Sequence, residues 1–450
     1  MLNIRILLII AIFAAAAIAQ QPETLATSTL RNFTTADLSE QTRTAWEQRD
    51  KSYLSARSQL LTQMVTEVVL DLEAKATGST SMKLVEAQKI KVSNPTDEQV
   101  KAVYDANVEA LGNKPLDQVR TTIVRFLRQE PENQVLRSYV DELAGKYKIS
   151  YQTDVNAPGL KPLDVLFTVD GRAVTDQQFE AKYRLALYEV KAGLIDEVND
   201  EIESAILSAL ISTEAASFKI DEQAYIAQEI TNKIKQFNDN EQADLERALE
   251  KRLFLKYKVK LLLSPPPPIV QKISVDDDPA RGPVTAPVTV VMFGDFQCPS
   301  CSKTYPILQK VIAEFPGKVC FVERDFPLEN IHENAFKAAL AANAAKSQGK
   351  FWEYTELLYT HQDALDAASL KKYAEQLGLN VRQFEIDSNS ERAAAEVRKD
   401  MADAVAYGVT GTPTIFVNGV MVRRLAADDF RDAIQDALKT AAPAAARTAR

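Results

Sequence analysis

Phe293-Gly-Asp-Phe-Gln-Cys-Pro-Ser-Cys-Ser-Lys-Thr-Tyr305 follows directly on an apolar run of β character, Val288-Thr-Val-Val-Met-Phe293. Cys298 and Cys301 therefore stand where a strand gives way to a helix, predicted over 303–315. Unpaired backbone N–H groups and the helix dipole favour an anion at such a point. A thiolate there has its pKa lowered from ~8.5 into the range of about 3.5–7.5. Pro299 suits the first helical turn, where its missing N–H has no partner to lose. Cys301 lies one turn further on, close enough to close a disulfide. The pair reads as a switchable dithiol, and its strand-to-helix setting favours catalysis over a structural disulfide.

The pattern continues as a strand over 319–324, the segment Asp325-Phe-Pro-Leu328, and helices over 333–346, 352–359, 369–377 and 381–408. Val409-Thr-Gly-Thr-Pro-Thr-Ile-Phe-Val-Asn-Gly419 and a last helix over 428–438 complete it. Strand and helix alternating around Cys-x-x-Cys predict an α/β thioredoxin-like C-terminal domain over 285–440. The helical insertion between its β-units points to one branch of that fold.

Several motifs carry a closer resemblance. They are Asp276-Asp-Asp-Pro279 with Gly282, Ala286-Pro-Val-Thr289, Asp295-Phe-Gln-Cys-Pro-Ser-Cys301, Asp325-Phe-Pro-Leu328, Gly349-Lys-Phe-Trp352 and Gly411-Thr-Pro-Thr-Ile-Phe-Val-Asn-Gly419. In these, residues 276–440 resemble the DsbA-like thioredoxin family. The resemblance implies that Cys298 is the exposed nucleophile and Cys301 the resolving thiol, with Phe296, Gln297, Pro299 and Ser300 around them. It implies a cis Thr412–Pro413 bond facing the dithiol, with the backbone of Thr412 open to an extended substrate strand. Disulfides in secreted proteins would be formed or isomerised, with no cofactor beyond the Cys298–Cys301 disulfide. The implied partners are unfolded or cysteine-containing exported proteins and a membrane or soluble redox partner. Many thioredoxins keep a buried acid nearer the start of the strand before the dithiol. Here Val290-Val-Met292 is apolar, and the group that relays the Cys301 proton is not identified. Asp295 reads as a capping or pairing residue at the strand end.

At 450 residues the chain is too long for one core. A net charge of −9, with Lys and Arg scattered, argues against nucleic acid as a partner. Three cysteines exclude a disulfide-stapled scaffold, and Cys320, in Val319-Cys-Phe-Val322, reads as a core residue. His332 and His361 stand in no ligand spacing with the cysteines, so no metal is expected. Residues 1–19 carry Arg5, an apolar run and Ala17-Ile-Ala19. They read as a cleaved export signal, with an uncleaved anchor as the other reading. Export implies an oxidising compartment, periplasmic or otherwise outside the cytoplasm.

Residues 30–262 are predicted to be mainly α-helical. Leu136-Arg-Ser-Tyr-Val-Asp-Glu-Leu-Ala-Gly-Lys-Tyr-Lys-Ile149 parallels Glu246-Arg-Ala-Leu-Glu-Lys-Arg-Leu-Phe-Leu-Lys-Tyr-Lys-Val259, and residues 64–76 parallel 206–218. These suggest two repeats, 30–155 and 160–262. Glu-Ala helix ends and closing Lys-Tyr-Lys strands resemble the N-terminal region of SurA-type periplasmic chaperones, without a parvulin isomerase module. The resemblance implies a surface that holds non-native chains; a helical spacer or homodimerising element is the other reading. Ser264-Pro-Pro-Pro-Pro268 opens a Pro-rich, acidic linker over 264–284, and 441–450 reads as a frayed tail. The non-enzymatic alternative is a holdase whose thioredoxin fold only docks partners.

Overall fold

The computed structural model describes residues 22–235, 239–329 and 331–440. The export signal read over 1–19 and the tail over 441–450 lie outside the described residues. A hairpin, β1 (Thr24–Thr27) and β2 (Asn32–Thr34), is followed by α1 (Glu40–Glu47), α2 (Arg49–Thr77), α3 (Ser81–Lys89), α4 (Asp97–Ala106), α5 (Leu116–Lys146) and the short strand β3 (Ser150–Tyr151). A second hairpin, β4 (Val165–Val169) and β5 (Arg172–Thr175), leads into α6 (Asp176–Phe218), α7 (Glu222–Glu229), α8 (Asp239–Lys256) and β6 (Lys260–Leu261). The helix α5 runs unbroken through Pro131, although a proline removes one hydrogen bond from a helix interior. Pro131 itself is exposed.

The internal repeat is visible in the pairings. The Asp37 carboxylate accepts from the Thr34 N–H at 2.8 Å, as the Gln178 side chain does from the Thr175 N–H at 2.9 Å. Lys146 and Tyr147 both reach Glu73, and Lys256 and Tyr257 both reach Glu214. Leu61, Val65 and Val69 of α2 are buried as Ile202, Ile206 and Leu210 of α6 are. This register is one residue out of step with the match of 64–76 to 206–218.

The compact units do not follow the boundaries 30–155 and 160–262. One joins the residues up to Asp50 to Lys191–Pro265; the other joins Lys51–Val190 to the residues from Pro266 on. The hairpin β1–β2 takes β6 as its third strand, and β4–β5 takes β3. A two-stranded hairpin is marginal alone, and each obtains its third strand from the end of the other repeat.

The C-terminal part comprises β7 (Ala280–Arg281), β8 (Val288–Gly294), α9 (Pro299–Ala313), β9 (Val319–Asp325), α10 (Ala335–Lys346), α11 (Phe351–Thr360), α12 (Ala367–Gln376), α13 (Val381–Ser388), α14 (Glu391–Ala406), β10 (Thr414–Val417), β11 (Val420–Val422) and α15 (Ala427–Thr440). The expected helix over 381–408 is two helices, because Ser390 caps a new one by accepting from the Ala393 N–H. The sheet order is β11-β10-β8-β9-β7, with β8 and β9 parallel and the other pairs antiparallel. A strand covered on both faces reads as a continuous apolar run. Accordingly, Val290, Met292 and Phe321 enter one core layer with α9, α10 and α11, while Val291, Phe293, Cys320 and Val322 enter the other.

The stretch 264–284 is not the linker its prolines suggest. From Pro266 on it belongs to the second unit. The Gln271 N–H donates to the Gly419 carbonyl at 2.8 Å, its side chain donates to the Tyr407 carbonyl at 2.6 Å, and Val270 bridges Val420. Ile269 and Ile273 pack on the core beneath, and Ala280–Arg281 is an edge strand of the sheet. Apolar residues between the prolines turn a spacer into a strap.

Candidate active site

Cys298 caps α9, with Pro299 in the first turn, and its carbonyl accepts from the Ser302 N–H at 3.2 Å. Cys298 and Cys301 are both free thiols. Cys301 is fully buried, and Cys298 is only 6% exposed, which corrects the expectation of an exposed nucleophile. The cover is the loop before β10. Pairing of Thr414 with Phe293 brings that loop to the head of α9, and the Cys298 Sγ lies 3.3 Å from the Thr412 carbonyl oxygen. The Thr412–Pro413 bond is cis.

The two sulfurs differ in acidity. Cys298 is pulled down to about 5, chiefly by the Cys301 thiol as a donor, against the cost of burial. The Thr412 side chain and the N–H groups of Cys301 and Ser300 add to the effect. Cys301 is pushed up, first by burial and then by its Cys298 neighbour. One thiol is held ready as an anion and the other as a protonated reserve.

The surrounding residues divide by role. Pro299 and Ser300 are exposed beside Cys298, while Thr412 and Pro413 are half-buried. Phe296 is buried with its ring 5.0 Å from that of Tyr359. Asp295 accepts from the Gln297 N–H at 2.7 Å and the Leu328 N–H at 2.9 Å, and its other partner is His332 Nδ1 at 2.6 Å. The Gln297 side chain accepts from the Asn334 N–H at 2.7 Å, and Gln362 donates to the carbonyls of Phe296 and Cys298 at 2.9 and 2.8 Å. These bonds fix the turn that presents Cys298. His361 bonds only locally, to the Leu357 carbonyl at 2.9 Å.

Sequence reasoning passed over Glu323, Tyr359 and Gln362. The Glu323 carboxylate is 3% exposed and accepts from the Tyr359 hydroxyl at 2.5 Å. Its signal was legible as a single acid continuing the apolar run Val319-Cys-Phe-Val322. Elsewhere, Asp278, Glu396 and Asp400 bring oxygens within 4.8 Å of one another, a possible grouping for a metal ion. A cation already stands there: Arg324 Nε is 2.8 Å from Asp278 and 2.9 Å from Asp400.

The thioredoxin family model matches residues 274–436. The C-terminal domain is thioredoxin-like. The helices α10 to α14 form an insertion between β9 and β10 of that fold. Curated relatives of this thioredoxin-containing chain include the Na(+)/H(+) antiporter NhaA 1 of Mycolicibacterium gilvum, 40% identical over 169 residues, which are 36% of this chain and 27% of the relative. NhaA 3 of Salinispora tropica is 42% identical over 147 residues, 33% of this chain and 22% of the relative. The chain thus spans about a quarter of the length of the curated relatives it matches. Among the described residues no helix is long and apolar enough to cross a membrane. Among solved structures, a thioredoxin-like oxidoreductase from Silicibacter pomeroyi is 29% identical, with 36% of this chain and 94% of that one covered and a TM-score of 0.34. Oxidised BdbD from Bacillus subtilis is 27% identical, with 38% and 98% covered and a TM-score of 0.35. The SurA-type resemblance of residues 30–262 finds no support in these comparisons.

Proposed function

We propose that the chain is an exported thiol–disulfide oxidoreductase that forms or isomerises disulfides in proteins outside the cytoplasm. The observation that carries the reading is the Cys298 sulfur, held at the head of α9 with its pKa lowered to about 5, beside the backbone of Thr412. In the oxidised form a client thiolate attacks the Cys298 sulfur, the Cys298–Cys301 bond breaks, and Cys301 leaves with the electron pair. A second client thiolate then attacks the client sulfur of the mixed disulfide. The client disulfide closes and Cys298 departs as a thiolate, the enzyme having gained two electrons. Run backwards, Cys298 attacks a client disulfide and Cys301 resolves the adduct. Thr412 and Pro413 hold the extended client segment alongside.

A stabilised Cys298 thiolate favours the reduced enzyme, hence the oxidising direction. Its pKa lies between those of thioredoxin, about 7, and DsbA, about 3.5. The dithiol potential accordingly belongs between about −270 and −120 mV. The helical region would keep clients near the dithiol or pair two copies of the chain, either of which suits isomerisation. The test is ultraviolet titration of the Cys298 thiolate together with refolding of reduced and of scrambled ribonuclease. A midpoint near 5 and loss of both activities in Cys298→Ala are expected; a midpoint near 8.5, or activity indifferent to that change, overturns the reading.

A further inference from the structure

Thiol–disulfide exchange at this site leaves one proton unaccounted for. Cys301 is fully buried and held as a thiol, yet it must become a thiolate to attack a mixed disulfide on Cys298. The strand that leads into the dithiol offers no base, since Val290, Val291 and Met292 are apolar and buried. The next strand does. Glu323 is paired across from Met292 in the parallel ladder. By the two-residue alternation of a strand it shares the face of Val319 and Phe321, which enter the core layer that holds Cys301, Tyr305 and Tyr359.

In that layer Glu323 is under-partnered. Its Oε1 accepts from the Tyr359 hydroxyl at 2.5 Å, while its buried Oε2 has no hydrogen-bond partner. Tyr359 belongs to the dithiol layer in its own right. Its ring lies 5.0 Å from Phe296 and 5.0 Å from Tyr305, and its carbonyl accepts from Ser302, next to Cys301, at 2.8 Å. Gly294 keeps the space open, because a Cβ there would stand 2.6 Å from the Tyr359 oxygen and 3.1 Å from the Glu323 Oε1. The other titratable groups that bear on the pair are Tyr305 on α9, Arg281 on β7 and Asp325 on β9 itself.

We propose that Glu323 is the proton store for Cys301, acting through Tyr359. This rests on the oxidoreductase reading above. When Cys301 attacks, its S–H proton passes to the Tyr359 oxygen as the Tyr359 proton passes to the Glu323 carboxylate. The Cys301 lone pair forms the S–S bond with Cys298, and the client sulfur leaves with the electron pair of the broken bond. In the oxidising direction the same proton returns to Cys301 as it is expelled. Burial raises Glu323 to about 7, so both of its protonation states are available near neutrality, which suits a group that must take up and return a proton. Glu323 is a positioning residue in this scheme, since it reaches the sulfur only through another side chain.

The experiment is stopped-flow reaction of the reduced full chain with dithiobis-nitrobenzoate, across pH. Attack by Cys298 gives a first, reagent-dependent release of the coloured thiolate. Resolution by Cys301 gives a second, reagent-independent one. In the unaltered protein the second phase is expected to rise through a limb near pH 7. Glu323→Gln keeps an acceptor for Tyr359 and removes the titration. It is expected to slow the second phase by ~10²-fold, the low end for general-base catalysis, to abolish that limb, and to leave the first phase alone. A second phase of unchanged rate and pH profile in Glu323→Gln overturns the proposal. Should that variant not fold, Tyr359→Phe carries the same test: a slowed second phase with its limb displaced supports the relay, and an unchanged one overturns it. Absence of the first phase in the unaltered protein would instead sink the oxidoreductase reading.

Discussion

Glu323 and Arg324 are neighbours on one strand, both charged and both buried, on opposite faces of one sheet. Their surroundings could hardly differ more. Arg324 bonds to Asp278, Asp400 and Asp403 and donates to the Ser274 carbonyl, with its guanidinium 5.4 Å from the Phe293 ring. Glu323 has one tyrosine hydroxyl and an oxygen with nothing to bond. A buried charge is costly unless it is paired and hydrogen-bonded. On its face Arg324 stands among three carboxylates, an ion-pair network in which Asp278 Oδ2 still takes no hydrogen bond. On the other face Glu323 has no carboxylate–cation pair and shares the core layer that holds Cys301 and Tyr359, the setting expected of a group whose charge changes during work.

The largest effect expected from breaking this contrast is on the arginine side. Arg324→Leu leaves the carboxylates of Asp278 and Asp400 buried without their cation. Removing one partner of a buried ion pair costs about 3–5 kcal/mol, and denaturant unfolding of the variant should show a loss of that order while Cys298 reactivity in the remaining folded protein is kept. A loss below about 1 kcal/mol would mean that the cluster is a solvated patch and not a buried network.

The glutamate side should respond with the opposite sign and depend on pH. Burial raises Glu323 from 4.5 to about 7, so the folded state binds a proton more tightly than the unfolded state does. The stabilisation is complete below pH 4.5 and is lost as pH rises through 7. At about 1.36 kcal/mol per pH unit, the loss amounts to roughly 3 kcal/mol above pH 7. Glu323→Gln removes the titration. The oxidised variant should therefore be about 3 kcal/mol more stable than the parent at pH 8 and nearly equal to it at pH 4. Equal stabilities at both pH values would show that Glu323 titrates as an ordinary carboxylate.

How much of this could be read in the chain follows from what each residue interacts with. The dithiol and its helix were legible because local patterns specify them, a strand and a Cys-Pro-Ser-Cys turn; the place of the Thr412–Pro413 loop was implied by the family resemblance of Gly411-Thr-Pro413 and its flanks. The role of Glu323 was not legible, since nothing local says that its strand lies beside Val288–Gly294 with Glu323 opposite Met292. The stretch 264–284 was misread for the same reason, since prolines describe local stiffness while Gln271 and Asp278 find their partners in residues beyond 320. The repeats were seen through their Lys-Tyr-Lys endings, but the exchange of third strands between them was not. That exchange depends on which hairpin meets which strand, a long-range choice that periodicity does not encode.

The smallest expected effects extend the comparison into the helical region, where the repeat provides two carboxylates of the paired kind. Burial raises the Glu214 pKa, but Lys256 and Tyr257 outweigh it and the net shift is downward. Glu73 is lowered chiefly by Lys146, with Tyr147 assisting. Lowered carboxylates have the reverse linkage of Glu323: their stabilisation is present above the unfolded value of 4.5 and is lost as pH falls through the lower folded value. Hydrogen bonds to a charged group are worth about 1.5–3 kcal/mol, so Glu214→Gln should cost about 2 kcal/mol at pH 7. Glu73, with a more exposed side chain at 12% against 6%, should cost less, about 1 kcal/mol. Both costs should vanish in acid, measured by denaturant unfolding at pH 7 and below pH 4. Lys256 and Lys146 lower these two acids while burial raises Glu323, so a single pH series on the three Gln variants reads the contrast directly. A Glu214 variant that behaves like the Glu323 variant, gaining stability at high pH, would break it.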